Sequence, residues 1–107
     1  MVSILRCLSN AMIYLIFSNM AFVYIIQSES TLQWYIGWTV DLQRRLIDHN
    51  SGLNRSTKGR GPWKYIFVRP FDSDKDAIDF EQYLKRNRNK RHILKKYSQF
   101  FQMPSDM

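Results

Sequence analysis

The sequence has one cysteine, Cys7, so no disulfide can close within the chain. That excludes a disulfide-stapled secreted miniprotein and makes a reducing compartment, the cytoplasm, the expected location. Charge is nearly missing from the first 40 residues, which carry only Arg6 and Glu29. Acidic residues are missing from 82–101, where Lys85, Arg86, Arg88, Lys90, Arg91, Lys95 and Lys96 stand unopposed. Neither internal repeats nor low-complexity stretches occur. What is present suits one small folded domain: 107 residues, 45% hydrophobic and 15% aromatic, which excludes a disordered tail. The net charge is +7, and fifteen of the sixteen basic residues fall between Arg44 and Lys96. A basic surface so concentrated points to a polyanionic partner such as nucleic acid, with solubility as the bland reading.

Residues 7–28 carry no charged side chain, and 11–17 reads Ala-Met-Ile-Tyr-Leu-Ile-Phe. The length approaches the roughly 20 residues of a membrane span. Ser9, Asn10, Ser18, Asn19 and Gln27 interrupt it, however, and Ser18-Asn19-Met20 is a poor export cleavage site. Three readings stay open: a dispensable extension with Met20 as the true start, an added helix or strand, or a membrane or export signal. The working division is an apolar extension over 1–19, a domain over 20–100 and a tail over 101–107, with no membrane association expected.

From Ala21 to Ile26 the chain is continuously apolar and reads as a buried strand. A turn at Ser28 to Thr31 leads to a second strand, Gln33 to Thr39, so the two form an antiparallel hairpin. A helix is expected from about Asp41 to Asn50, with Gly52 as its stop. Residues 52–62 read as a loop, and Lys64 to Arg69 as a third strand. Ser73 and Asp76 form a capping pair ahead of a helix from about Asp74 to Arg86, and a further helix runs near Lys90 to Phe100. The fold class is α/β: a small three-stranded, mainly antiparallel sheet flanked by helices in the order β-β-α-β-α-α.

A few polar residues break this pattern. On the helix around Glu81, the residues Ala77, Phe80 and Leu84 form the apolar stripe, and Glu81 falls on the arc facing the sheet. A carboxylate there needs a cation. An ion pair with Lys85, four residues on, would satisfy it, and so would a metal ion. Arg45 and His49 lie together along one edge of the Leu42–Leu46 face. In the hairpin, Tyr24 shares a face with Phe22 and Ile26. Tyr35 shares one with Gly37, which leaves space beside it. Singly, each is more often structural; together they form a specific constellation.

The constellation resembles the GIY-YIG endonuclease family. Val23-Tyr24 and Tyr35-Ile36-Gly37 look like the two halves of its signature. Asp41-Leu42-Gln43-Arg44-Arg45-Leu46 and His49 look like its first helix, and Glu81 sits where the family places its metal-binding glutamate. Ser56-Thr57-Lys58 and Pro62-Trp63 are similar to the small stand-alone members. The likeness covers about Met20 to Tyr97. Phe22 replaces the first glycine, Trp38 stands where some members carry lysine, and Asn87 and Asn89 are the candidates for a late asparagine.

The resemblance implies DNA phosphodiester hydrolysis, in repair or recombination, on substrates that include branched or damaged DNA. It implies one divalent ion, Mg²⁺ or Mn²⁺, held by Glu81. Tyr24 would act as general base, with a depressed pKa or with His49 as relay. Arg45 would clamp the scissile phosphate, and Tyr35 would position water or phosphate. Lys58, Arg60, Lys85, Arg86, Arg88, Lys90 and Arg91 could track the phosphate backbone, unless the run is only a solvated helix face. The competing hypothesis is a non-catalytic nucleic-acid-binding module on the same fold.

Overall fold

The computed structural model describes residues 20–87 and 89–101. The expected extension over 1–19, Arg88 and residues 102–107 lie outside the described residues. The elements follow in the order β1 (Ala21–Ser28), β2 (Trp34–Thr39), α1 (Leu42–Asn50), β3 (Trp63–Phe71), α2 (Asp74–Arg86) and α3 (Lys90–Lys96), closed by a 3₁₀ turn at Ser98–Phe100. The sheet is antiparallel throughout, with β1 between β2 and β3. This is the fold class read from the sequence. Among the described residues no helix is long and apolar enough to cross a membrane.

β1 is unbroken in hydrophobicity because both its faces are covered. Ala21, Val23 and Ile25 point into a core completed by Phe67, Ala77, Leu84 and Ile93, on the side of α2 and α3. Tyr24 and Ile26 point the other way, into a smaller core with Trp63 and with Leu42 and Leu46 of α1. A register shift in the β1–β3 ladder, where Ile25 pairs with Phe67 but Ile26 with Tyr65, breaks the two-residue alternation. Phe67 therefore enters the first core and Tyr65 the second. Without that bulge the two rings would share a face.

Local chemistry sets the helix ends. Asp41 accepts a hydrogen bond from the Arg44 amide and caps α1; Ser73 does the same for α2 through the Asp76 amide. Gly52, at φ +81°, takes the left-handed position after α1, as a terminating glycine should. Asn87 and Asn89 serve the junction between α2 and α3: Asn87 Oδ1 accepts from the Asn89 amide, and Asn89 Oδ1 from the His92 amide.

Several boundaries differ from expectation, most of them by a residue or two. β3 continues past Arg69 to Phe71; it is an edge strand, so Pro70 is tolerated there. α3 stops at Lys96 instead of reaching Phe100. Phe101, assigned to the tail from sequence, pairs with Phe67 in a β-bridge and meets its ring edge-on at 5.0 Å. Aromatic packing also explains Arg69, whose guanidinium lies within 6.0 Å of the rings of Phe71, Phe80, Tyr97 and Phe100.

Candidate active site

The smaller core doubles as a polar site. Tyr24 points from the middle of β1 toward α1, and His49, in the last turn of α1, points back. Tyr24 Oη and His49 Nε2 lie 2.8 Å apart. The other ring nitrogen, Nδ1, lies 2.8 Å from Thr57 Oγ1 in the loop after α1. Tyr24, His49 and Thr57 are 1%, 2% and 0% exposed, so these bonds are made away from water.

Gly37 makes room for the phenol. It lies directly opposite Tyr24 in the β1–β2 ladder. A Cβ on Gly37 would come within 2.5 Å of the Tyr24 hydroxyl and 2.7 Å of the ring carbon bearing it. The space that the sequence suggested beside Tyr35 is thus filled by the Tyr24 ring, packed across the strands. Tyr35 sits edge-on to the His49 imidazole at 5.0 Å. Tyr65 closes the remaining side, edge-on to Tyr24 at 5.4 Å, with its hydroxyl donating to the Leu42 carbonyl at 2.6 Å.

The adjacent arginines of α1 diverge. Arg44 turns to solvent and pairs with Asp48 at 3.3 Å. Arg45 turns toward Tyr24, and its Nε is buried with no hydrogen-bond partner among the described residues. Glu81 is one of the three buried residues of α2. Its carboxylate meets Lys85 Nζ at 3.1 Å, so the i,i+4 ion pair does form; Lys85 itself is half exposed. Glu81 shares no hydrogen bond with the other four candidates, but its charge reaches the Tyr24 phenol.

Burial pushes the Tyr24 phenol up to about 12, against the pull of the neighbouring Arg45 cation. The depressed tyrosine pKa offered as one route from sequence is therefore corrected: desolvation outweighs the arginine. The contact that a His49 relay would use, Tyr24 Oη to His49 Nε2, is in place. Burial, reinforced by the Arg45 charge, lowers His49 to about 4. The imidazole is neutral at pH 7.

That shift predicts an acid-sensitive fold. Between the unfolded value of 6.5 and the folded value of about 4, the unfolded chain binds a proton on His49 that the folded chain does not. This contribution to stability is fully present above pH 6.5 and is lost as pH falls toward 4. The melting temperature should decline from pH 6.5 to 5, where carboxylates are still ionised, and replacing His49 by glutamine should flatten the decline. An equal slope in both proteins would contradict a buried neutral imidazole.

A family model described as the GIY-YIG catalytic domain matches residues 20–98. The chain belongs to the GIY-YIG family. It is 33% identical to the UPF0213 protein YazA of Bacillus subtilis over 78 residues, covering 72% of this chain and 78% of that one. It is 44% identical to the UPF0213 protein YsiG of Lactococcus lactis over 69 residues, 63% of this chain and 64% of that one. A structure-specific endonuclease subunit, SLX1 of Meyerozyma guilliermondii, is 40% identical over 78 residues, 66% of this chain but 26% of the yeast protein. The solution NMR structure of the UPF0213 protein BH0048 from Bacillus halodurans is 32% identical, with a TM-score of 0.46 over 73% of this chain and 84% of that one.

The GIY-YIG family is one of endonucleases, which supports a nuclease here. The geometry brings Tyr24, Tyr35, Arg45 and His49 together and places Glu81 within electrostatic reach. The basic residues are more scattered. Lys58, Arg86 and Arg91 are exposed. Arg60 donates to the Gln33 side chain at 3.1 Å and lies over Trp63, while Lys90 lies over the Trp34 ring. Arg88 falls outside the described residues.

The sequence marked Thr57 only within the likeness to the small stand-alone members, without a role, and did not single out Asn50 or Tyr65. Asn50 exchanges two hydrogen bonds with the Trp63 backbone, at 2.7 and 3.1 Å, and so ties the start of β3 to the end of α1. Trp63 Nε1 in turn donates to the Thr57 carbonyl at 3.1 Å. The available signal was polar residues flanking a tryptophan in a loop otherwise rich in glycine and basic residues.

Proposed function

We propose that the protein is a metal-dependent endonuclease that hydrolyses DNA phosphodiester bonds. The observation that carries this reading is the buried Tyr24–His49 hydrogen bond beside an arginine whose Nε has no partner among the described residues. A cation that is half satisfied next to a phenol–imidazole pair suits an incoming phosphate. Tyr24 would accept a proton from the attacking water as its own proton passes to neutral His49. Arg45 would bind the scissile phosphate, with a fork that matches its oxygens. Tyr35, against His49, would orient water or phosphate.

The residues present fit a divalent ion. Among the described residues no group of three or more His, Cys, Asp or Glu side chains forms a cage. Glu81 offers one hard carboxylate, which matches an ion that keeps most of its waters, Mg²⁺ or Mn²⁺. When bound there, the ion supplies positive charge for the leaving oxygen. Lys85, on a long and half-exposed stem, is able to leave the carboxylate for DNA phosphate. Lys58, Arg60, Arg86, Arg88, Lys90 and Arg91 would bind the backbone.

Branched or damaged DNA in repair or recombination is the proposed substrate class, supported by the yeast relative's description as structure-specific. The single cysteine fits work in the reducing cytoplasm. One observation favours the second reading, a binding module without catalysis: Lys85 already neutralises Glu81. Incubation with linear, flapped and junction DNA in Mg²⁺, Mn²⁺ or EDTA separates the two. The nuclease reading expects ion-dependent products that EDTA abolishes. Tight binding of all three DNAs without products would sink it.

A further inference from the structure

Resting on that nuclease reading, we propose that Thr57 is a positioning residue that fixes the His49 proton on Nδ1 and so keeps Nε2 an acceptor for the Tyr24 phenol. The hydroxyl of Thr57 has one proton, and the Asn54 carbonyl lies in its path at 3.4 Å. With the hydroxyl proton turned to that carbonyl, Oγ1 meets His49 Nδ1 at 2.8 Å as an acceptor, and the ring donates there. A neutral imidazole has one N–H, so the bond at one nitrogen decides the other. Nε2 is left with a lone pair facing Tyr24 Oη at 2.8 Å.

The tautomer decides how Tyr24 meets water. With Nε2 as acceptor, the phenol proton points at His49, and the phenol oxygen keeps a lone pair for the proton of an incoming water. With the proton on Nε2 instead, the imidazole would donate to that oxygen, and the phenol would turn its own proton outward. Tyr24 would then face water as a donor, which is the wrong sense for a base.

The loop is built to deliver this one hydroxyl. Thr57 is fully buried, while Ser56 and Lys58 on either side are exposed. Its amide donates to the Asn54 carbonyl at 3.2 Å, and its carbonyl accepts from Trp63 Nε1. A valine would fill the same space and keep both backbone bonds. Only the hydroxyl chemistry distinguishes threonine there.

Long-range ¹H–¹⁵N correlation spectra of ¹⁵N-histidine protein at pH 7 report the tautomer directly, with exposed His92 as internal reference. The expected wild-type pattern is a protonated Nδ1 and a bare Nε2 for His49; the reverse overturns the proposal, and this measurement needs no variant. Thr57→Val should lose the fixed Nδ1–H pattern and lower the cleavage rate by roughly 100-fold, the usual reach of general acid–base catalysis, at unchanged DNA affinity. Thr57→Ser should restore both. A valine variant with an unchanged tautomer, or with a changed tautomer and wild-type cleavage, overturns the positioning role. Failure of the wild-type protein to cleave any DNA would sink the nuclease reading, while the nitrogen spectrum still decides whether Thr57 sets the tautomer.

Discussion

Glu81→Ala should lower the cleavage rate by roughly 100-fold or more, as loss of a main electrostatic stabiliser does, while the protein stays folded and binds DNA. Two results separate the metal assignment from the ion pair with Lys85. The pair is of the i,i+4 kind with one half-exposed partner, and such pairs contribute about 0.2–1 kcal/mol. Alanine is also the best helix former, so α2 has little reason to unfold. If Glu81 serves only Lys85, then Lys85→Met should do as much damage to stability and activity as Glu81→Ala. If Glu81 holds the ion, Lys85→Met removes a competitor and should leave Mn²⁺ binding intact or tighter, whereas Glu81→Ala should lose it. Unchanged cleavage by Glu81→Ala at saturating Mg²⁺ would remove the carboxylate from the mechanism.

What could be read from the sequence follows from what is periodic. The burial of β1 was legible because a strand covered on both faces reads as a continuous apolar run. The start of α2 was legible because Ser73, three residues ahead of Asp76, is a local capping signal. The shorter α3 was not, because its end is set by distant rings: Phe100 and Phe101 turn away to pack on Phe67. The extension of β3 through Pro70 depended on its being an edge strand, a property of topology that no local window contains.

The same division runs through the candidate site. The faces of Tyr24, Tyr35, Arg45 and His49 followed from spacing within strand and helix. Which of them touch did not, since Tyr24 and His49 are 25 residues apart and meet because α1 folds over β1. The sense of the Tyr24 shift was equally hidden: Arg45 pulls the phenol down and burial pushes it up, and only the structure weighs them. Thr57 sits in a loop without periodicity, so its burial had no signature in the sequence.

Arg45→Lys should be nearly as damaging as Arg45→Ala, with both lowering the cleavage rate by roughly 100-fold. Total positive charge is preserved by lysine, so a general attraction for DNA would survive the first change. The geometry of the arginine is what the site uses. Its Nε is buried and without a partner among the described residues, a state that a guanidinium tolerates poorly unless an anion completes it. A phosphate accepting from Nε and one terminal nitrogen would take a bidentate bond, and the ammonium of lysine cannot reproduce that fork. Arg45 also bears on its neighbours: its charge opposes the raised Tyr24 phenol and helps keep His49 neutral. Lysine would keep part of that field, so the shared part of the loss measures the clamp and the difference between the two variants measures the field. DNA affinity measured alongside should change little in the lysine variant. Near-normal turnover with lysine would mean that Arg45 supplies positive charge alone.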